Sequence, residues 1–179
     1  MRAAAGKGLR DVIGPGLTVL FVGINPGLYS AATGHHFARP GNRFWPALHQ
    51  AGFTPRQLHP SQQAELLQGG CGITNLVNRG TATAEELEVG EFVRGRHRLA
   101  AQVKRYRPRV VAFLGVGAYG HAFSCKQAKI GLQPARFEGA EVWLLPNPSG
   151  LNANYQLPEF VKLFRALRSR TWPPSSIRP

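Results

Sequence analysis

The most constraining feature of this chain is an apolar run that stops abruptly. Residues 17–22 read Leu-Thr-Val-Leu-Phe-Val, and the turn Gly23-Ile24-Asn25-Pro26-Gly27 follows at once. A second run, Val142-Trp143-Leu144-Leu145-Pro146, is followed in the same way by Asn147-Pro148-Ser149-Gly150. Such runs are typical of strands buried on both faces of a parallel sheet. Because open α/β sheets bind ligands at the carboxyl ends of their strands, we expect the two Asn-Pro turns to share one edge that forms an active site.

The rest of the pattern predicts a single α/β domain. Strands and helices alternate, which indicates a central, mainly parallel sheet of four or five strands with helices on both faces. Strands are predicted at 17–22, 72–77, 110–114 and 140–145, and helices at 43–51 (with Asn42 as N-cap), after Ser61, at 90–106, at 115–123 and at 157–169. Residues 28–42 have no clear period and are expected to form a functional loop. Residues 124–139 are expected to be irregular or to form a small hairpin.

Length and terminal composition predict the domain boundaries. A chain of 179 residues favours one domain with one core. Residues 1–13 are small and basic and are predicted to form a flexible segment. The domain is expected to span 14–170, and residues 171–179 are predicted to form a flexible tail.

Charge is the compositional outlier, and it indicates the class of partner. The chain carries 22 Lys and Arg against 9 Asp and Glu, a formal net charge of +13. Such a surplus favours a polyanionic partner, most simply nucleic acid. No apolar run is long enough to span a membrane, and the N-terminus lacks the apolar stretch of a signal peptide. Cys71 and Cys125 are expected to be free thiols in a reducing compartment, so we predict an intracellular protein, cytoplasmic or nucleoid-associated.

The sequence gives little support for three familiar kinds of site: a metal centre, a dinucleotide-binding loop and the active site of a serine hydrolase. His35 and His36 are adjacent, and neighbouring side chains do not chelate one ion well, so no metal is expected. The run Gly115-Val116-Gly117-Ala118-Tyr119-Gly120 has the spacing of a dinucleotide-binding loop, but it follows the third predicted strand, and close packing is the favoured explanation. Ser149 lacks the elbow motif of a serine hydrolase. A site around Asn25 has no carboxylate beside it in sequence and would act by positioning and by backbone electrostatics.

Several motifs together resemble one enzyme family. In chain order they are Gly23-Ile24-Asn25-Pro26-Gly27, Gly34-His35-His36-Phe37, Pro40-Gly41-Asn42-Arg43-Phe44-Trp45, Gly72-Ile73-Thr74-Asn75-Leu76-Val77, Gly131-Leu132-Gln133-Pro134 and Asn147-Pro148-Ser149-Gly150-Leu151. In this order and spacing they resemble the mismatch-specific uracil/thymine-DNA glycosylases of the uracil-DNA glycosylase superfamily. The resemblance implies that fold for residues 14–170. It also implies a monofunctional enzyme of base excision repair that removes uracil, or thymine or cytosine adducts, by hydrolysing the N-glycosidic bond without metal or cofactor, leaving an abasic site.

The resemblance also implies roles for residues in the first half of the chain. Asn25 would hold the water that attacks the sugar and is the expected catalytic residue. The flipped uracil would be bound by Ile24, Gly27, Tyr29, Phe37 and Asn75. Among these, Phe37 would supply a stacking face, and Tyr29 would narrow the pocket against the methyl group of thymine.

The second turn would enter the duplex. Asn147, Pro148, Ser149, Gly150 and Leu151 resemble a loop that wedges between bases and contacts the DNA backbone, with Leu151 filling the vacated space. Some relatives place an arginine after this leucine to hold the widowed guanine, whereas this chain has Asn152-Ala153-Asn154, which favours some activity on A·U pairs or single strands. The expected partner is double-stranded DNA containing G·U or related mismatches, bound by a monomer.

Two other functions remain open at this point. A non-catalytic nucleic-acid-binding module would account for the charge but not for two Asn-Pro turns at one edge. An enzyme with a nucleotide cofactor would use the turn at Gly115. Within the glycosylase hypothesis, the acidic residues of 85–91 form either a solvated segment or the source of a base that Asn25 cannot supply.

Overall fold

The apolar runs form the centre of one twisted sheet. The computed structural model describes residues 2–172, and its strands are β1 (Val19–Gly23), β2 (Cys71–Asn75), β3 (Val110–Leu114), β4 (Gly131–Phe137) and β5 (Ala140–Leu145). Their order across the sheet is β2-β1-β3-β5-β4. The first four are parallel, and β4 pairs antiparallel with β5 at one edge. The predicted mainly parallel α/β sheet is thereby confirmed, with five strands.

Alternation of side chains along the central strands gives the sheet two apolar faces. Val19 and Phe21 of β1 lie in one buried cluster, and Leu20 and Val22 lie in the other. All five residues of β1 are buried, which is why its sequence is continuously apolar rather than alternating. Each face needs a layer of helices to exclude water from it.

Four of the five α-helices in residues 2–172 supply those layers. The five helices are α1 (Leu28–Thr33), α2 (Phe44–Gln50), α3 (Val89–Tyr106), α4 (Val116–Phe123) and α5 (Leu157–Thr171). Helices α2 and α5 cover the face that carries Phe21, where Phe44 and Phe164 pack against its ring. Helices α3 and α4 cover the opposite face. The predicted helices on both faces are therefore confirmed.

Several local predictions differ from the structure. Residues 28–33, expected to be part of a loop, form α1. A 3-10 helix spans Pro60–Gly69 and is capped by His59, not by Ser61. Asn42 does accept a hydrogen bond from the main-chain nitrogen of Phe44 at 2.9 Å, as an N-cap would, although the helix begins one residue later than predicted.

The N-terminal segment, for which the sequence predicts flexibility, packs against the domain. Leu9 and Val12 are buried, and Val12 forms a β-bridge with Ile73 of β2. The Asp11 carboxylate accepts a hydrogen bond of 2.6 Å from the Thr74 hydroxyl. Polar anchors of this kind are invisible in a short basic stretch, because their partners are far along the chain. Residues 173–179 of the predicted tail lie outside the described residues, while 171–172 complete the end of α5.

The carboxyl ends of β1, β2, β3 and β5 meet at one edge of the sheet. The turn after β1 holds Asn25, the last residue of β2 is Asn75, and the turn after β5 holds Asn147. Since β3 lies between β1 and β5, the two Asn-Pro turns stand on either side of its end. The parallel sheet therefore brings together three asparagines that are far apart in sequence.

Candidate active site at the carboxyl edge of the sheet

A cavity of about 510 Å³ opens at this edge. Its walls include Asn25, Phe37, Asn75, Asn147 and Leu151, so both Asn-Pro turns contribute to one pocket. Ile24, Gly27 and Ser149 line it as well. The volume is within the range of sites that enclose a small organic group such as a nucleobase.

Asn25 is held rigidly by the segment that follows β2. Its Nδ2 atom donates to the Arg79 carbonyl oxygen at 2.8 Å and to the Thr81 hydroxyl at 2.7 Å, with a longer contact of 3.2 Å to the Pro26 carbonyl oxygen. Carbonyl oxygens only accept, so the nitrogen side of the amide must face them. No donor in residues 2–172 binds its Oδ1, which leaves that atom as the acceptor available to the pocket.

Thr81 reinforces this orientation. The residue is 2% exposed, and its hydroxyl donates to the Thr83 carbonyl oxygen at 2.7 Å. That proton is therefore committed, and the oxygen can only accept from Asn25. The Thr81 main-chain nitrogen also donates to the Pro26 carbonyl oxygen, which ties the two segments side by side. Sequence reasoning missed Thr81, because a threonine in a polar segment carries no signal until its partner is known.

Phe37 presents its ring to the pocket from an unusual backbone. Its φ angle is +53°, a left-handed conformation that is rare for a bulky residue. The Ala38 main-chain nitrogen donates to the Ser30 hydroxyl at 3.1 Å, and the Trp45 indole donates to the His36 carbonyl oxygen at 3.1 Å, so the flanking peptides are fixed. The Phe37 ring lies 4.2 Å from that of Phe44, centroid to centroid. An aromatic face held in this way suits a stacked base.

Asn75 and His36 form a buried polar pair beside Phe37. The side chains are 3% and 1% exposed, and Nδ2 of Asn75 lies 3.3 Å from Nδ1 of His36. Nε2 of His36 lies 3.1 Å from the Arg10 carbonyl oxygen. Burial is the largest influence on the imidazole and lowers the pKa of His36, so the ring is neutral at pH 7; the Arg10 hydrogen bond and the Asp11 charge oppose that shift, and His35 adds to it.

The loop of residues 147–154, which the resemblance predicts to enter the duplex, is shaped by its own side chains. Oδ1 of Asn147 accepts from the Ser149 main-chain nitrogen at 3.1 Å, and the Asn152 amide donates to the Asn147 carbonyl oxygen at 2.9 Å. Leu151 is 69% exposed, the largest exposed fraction among the big apolar side chains of the described chain. A leucine that lines a pocket and yet faces solvent is suited to contact a ligand that extends beyond the pocket.

Arg43 fastens the loop of residues 147–154 to the segment that carries Phe37. Its Nη1 donates to the carbonyl oxygens of Ser149 and Asn152 at 2.7 and 3.1 Å, and its main-chain nitrogen donates to Pro148. Gly150 packs so closely on the Gly41 carbonyl that a Cβ atom there would lie 2.7 Å from its oxygen. The two loops therefore form one continuous rim.

Tyr29, predicted to contact the flipped base, lies outside the pocket, and the acidic segment 85–91 contributes one residue to it. Tyr29 lines a shallower groove of about 680 Å³ next to the pocket, with Arg39, Trp45 and His59, while Ser30 is the α1 residue that lines the pocket itself. Among the acidic residues of 85–91, only Glu85 lines the pocket; Glu91 pairs with Arg79 at 2.8 Å. A main-chain hydrogen bond of its own and the Thr83 hydroxyl lower the pKa of Glu85.

The glycine-rich turn before α4 serves packing. Gly115 has φ of +152°, and a Cβ atom there would lie 2.9 Å from the Ile24 side chain. That close approach allows Ile24 to line the pocket. Within residues 2–172 there is no group of three or more His, Cys, Asp or Glu side chains that could hold a metal ion, and no helix is long and apolar enough to cross a membrane.

Comparison with known families decides the class of this site. The sequence model described as the uracil DNA glycosylase superfamily matches residues 11–168. The chain belongs to this superfamily. The solution NMR structure of a presumed uracil DNA glycosylase from Methanosarcina acetivorans superposes with a TM-score of 0.59 at 18% sequence identity, covering 91% of this chain and 98% of that one. At this identity the likeness shows a shared fold, which confirms the uracil-DNA glycosylase-like architecture.

Membership in the uracil DNA glycosylase superfamily fixes the coarse function. The protein is a DNA glycosylase, a hydrolase of DNA repair whose partner is DNA. The surplus of basic residues, a formal charge of +13, agrees with a polyanionic partner. The glycosylase hypothesis therefore stands above both alternatives, and the pocket at the carboxyl ends of the strands is the candidate site of catalysis.

Proposed function

We propose that the protein excises uracil from mismatched double-stranded DNA, with Asn25 holding the attacking water. The observation that carries this proposal is the fixed amide of Asn25, whose nitrogen is committed to Arg79 and Thr81 and whose oxygen is left to the pocket. An amide oxygen can orient a water molecule but is too weak a base to deprotonate it. Catalysis then depends on position and on stabilising the charges of bond cleavage.

The proposed reaction is a hydrolysis in which water attacks after the glycosidic bond has begun to break. The bond between C1′ and N1 breaks, its electron pair goes to the base, and the sugar gains oxocarbenium character. The water oxygen forms a bond to C1′ and keeps one proton as a hydroxyl group, while its other proton neutralises the uracil anion, so the products are uracil and an abasic site. A uracil stacked on Phe37, with Asn75 and the main chain near Ile24 at its edge, is held while this charge develops.

The base must leave the helix before it can reach Asn25. We propose that Leu151 enters the duplex as the base leaves, because it is the exposed apolar side chain on the pocket rim. A G·U pair is easier to open than a matched pair, which favours mismatched substrates. Since residues 152–154 are Asn-Ala-Asn, the loop offers no arginine to hold the opposite guanine. We therefore expect the mismatch preference to be modest, with cleavage of A·U pairs and single strands as well.

The test uses end-labelled oligonucleotides carrying G·U, A·U or G·T pairs, or a single-stranded uracil, in the presence of a chelator. Alkali then cleaves any abasic sites. Breakage at uracil supports the proposal, and binding without breakage in all four substrates rejects it in favour of a binding module. Both activity and binding should weaken steeply with salt, because contacts to phosphates release counterions.

A further inference from the structure

The orientation of the Asn75 amide is set by a residue outside the catalytic turn. Nε2 of His36 lies 3.1 Å from the Arg10 carbonyl oxygen, which can only accept, so Nε2 must carry the ring proton. In a neutral imidazole the other nitrogen, Nδ1, then has only a lone pair. The Asn75 atom that lies 3.3 Å from it must therefore be the amide nitrogen, not the oxygen.

His36 is itself fixed at every polar atom. Its main-chain nitrogen donates to the Gln63 side chain at 2.8 Å, and its carbonyl oxygen accepts from the Trp45 indole at 3.1 Å. The ring is 1% exposed, so neither water nor a rotamer change can exchange its partners. The Arg10 carbonyl thus determines the tautomer of His36, and the tautomer determines which way the Asn75 amide is turned.

The turned amide presents a defined pattern toward Phe37. A Cβ atom on Gly23 would lie 2.5 Å from Oδ1 of Asn75 and 3.2 Å from the edge of the Phe37 ring, so these two groups converge above Gly23. The amide nitrogen has a second hydrogen beyond the one given to His36. A base stacked on Phe37 therefore meets one acceptor and one donor on the same side chain.

We propose that His36 is the positioning residue that makes this pocket select the uracil-type edge over the cytosine-type edge. Uracil offers an N3–H donor beside an O4 acceptor, which matches the acceptor and donor of Asn75 as it is turned. Cytosine offers the reverse, an N3 acceptor beside an amino donor. To bind it, the Asn75 amide would have to turn over and place its oxygen against the lone pair of His36. This inference rests on the proposed function, since it assumes that the base enters this pocket.

The size of the effect follows from the cost of mispaired buried groups. A site whose polar groups hydrogen-bond one edge of a base strongly rejects an analogue that leaves those groups unpaired. This discrimination is larger than that of an apolar pocket against a ligand of different size. Removing the constraint should therefore lower the preference for uracil over cytosine by about tenfold or more. Catalytic groups such as Asn25 keep their contacts, because none of them involves His36.

The experiment measures binding, so that it does not depend on the leaving group. Duplexes carry 2′-fluoroarabino-uridine or 2′-fluoroarabino-cytidine, which resist cleavage, opposite an abasic analogue so that neither base is paired. The measured ratio is the dissociation constant of the cytidine duplex divided by that of the uridine duplex. It is determined for wild type, His36→Leu and His36→Gln, with melting temperatures as a folding check. His35→Leu is the matched control, because His35 is next in sequence but does not line the pocket.

His36→Leu should reduce the ratio about tenfold or more, whereas His36→Gln should retain it, since its amide can donate to Arg10 and accept from Asn75. His35→Leu should keep the wild-type ratio. A folded His36→Leu variant with an unchanged ratio overturns the inference.

A second measurement keeps the test decisive if His36→Leu does not fold. At acid pH, protonation turns Nδ1 into a donor and favours the opposite amide orientation. The charged and titratable groups around the ring are Asp11, which faces it from the N-terminal segment and is paired with Arg98 of α3, and His35 on its own segment. As the pH is lowered, the ratio of dissociation constants should decrease more for the wild type than for His36→Gln, which lacks the imidazole. Identical pH profiles for the two proteins count against the proposal.

Failure of this inference is separable from failure of the proposed function. The same duplex with ordinary deoxyuridine reports excision by the wild type. No excision rejects the proposed function, while excision together with a ratio that does not respond to His36 rejects only the role of His36.

Discussion

The turns after β1 and β5 contain the same Asn-Pro pair, but their asparagines make different contacts. The Asn25 amide nitrogen is bound by Arg79 and Thr81 from another segment, and its oxygen is left to the pocket. The Asn147 side-chain oxygen is instead bound within its own turn, where it accepts a hydrogen bond from the Ser149 main-chain nitrogen. One asparagine therefore offers its side-chain oxygen to the pocket, whereas the other shapes a loop that presents Leu151. Similar sequence at one sheet edge does not imply a repeated site.

The largest expected effect separates the two asparagines directly. Asn25→Ala removes the group proposed to hold water, so the rate of uracil excision should fall by about a hundredfold or more on duplex and single-stranded DNA alike, while binding persists. Single-turnover excision and a binding titration measure the two properties. Asn147→Ala is the matched variant and should affect duplex substrates most. Equal losses for both variants on single strands would contradict the division of roles.

Leu151→Ala tests the proposed role of the second turn in opening the duplex. Loss of an apolar side chain that becomes buried only when the duplex opens should lower excision from G·U duplexes by about tenfold. Excision from single-stranded DNA, which requires no wedge, should be retained. The ratio of duplex to single-strand rates is the measured quantity, and a parallel decrease in both rates would show that Leu151 acts elsewhere.

Thr81→Val tests how Asn25 is held. The change keeps the shape of the buried side chain but removes the oxygen that accepts from Nδ2, so the amide loses one of two short restraints. One lost hydrogen bond corresponds to about a fivefold decrease in kcat with little change in KM. Thr81→Ser restores the hydroxyl and should restore the rate. If Thr81→Ser is as slow as Thr81→Val, packing rather than the hydrogen bond is responsible.

The smallest effect concerns the one carboxylate on the pocket wall. Glu85 is exposed, and a main-chain hydrogen bond and Thr83 lower its pKa, so its charge is present at neutral pH and is lost only as the pH falls below the usual range for Glu. A negative charge near the developing oxocarbenium should help about two- to threefold through solvent-screened attraction. Glu85→Gln should lower the rate by that amount and flatten the acid limb of the pH–rate profile. A loss as large as that of Asn25→Ala would make Glu85 the base.

The central strands of the sheet can be predicted from the sequence, because a strand that is buried on both faces is almost entirely apolar. The runs that contain Val19–Gly23 and Val110–Leu114 are continuously apolar, and each is a central strand. Strand β4 was harder to predict, since Gly131–Phe137 is an edge strand with mostly exposed side chains and no regular alternation. Helix α1 has only six residues and no capping side chain, so the sequence does not predict it.

The geometry of the candidate site is less visible in the sequence, because it depends on contacts between residues that are far apart along the chain. The contacts of Asn25 with Arg79 and Thr81 span 54 and 56 residues, and the pair of His36 and Asn75 spans 39. The Arg10 carbonyl comes from a segment predicted to be flexible. Motifs identify which residues gather at the edge, but the direction of each amide follows only from its acceptors.

The two borders of the sheet bear on self-association. Strand β2 would present a free row of main-chain groups, but Val12 bridges to Ile73 and occupies part of it. On the far side, β4 carries Pro134 within a shift of register between Leu132 and Arg136, so a ladder of hydrogen bonds to another chain would be interrupted there. Neither border is a regular template on which a second molecule could extend the sheet. We therefore expect that pairing between edge strands does not join two molecules, even at high protein concentration.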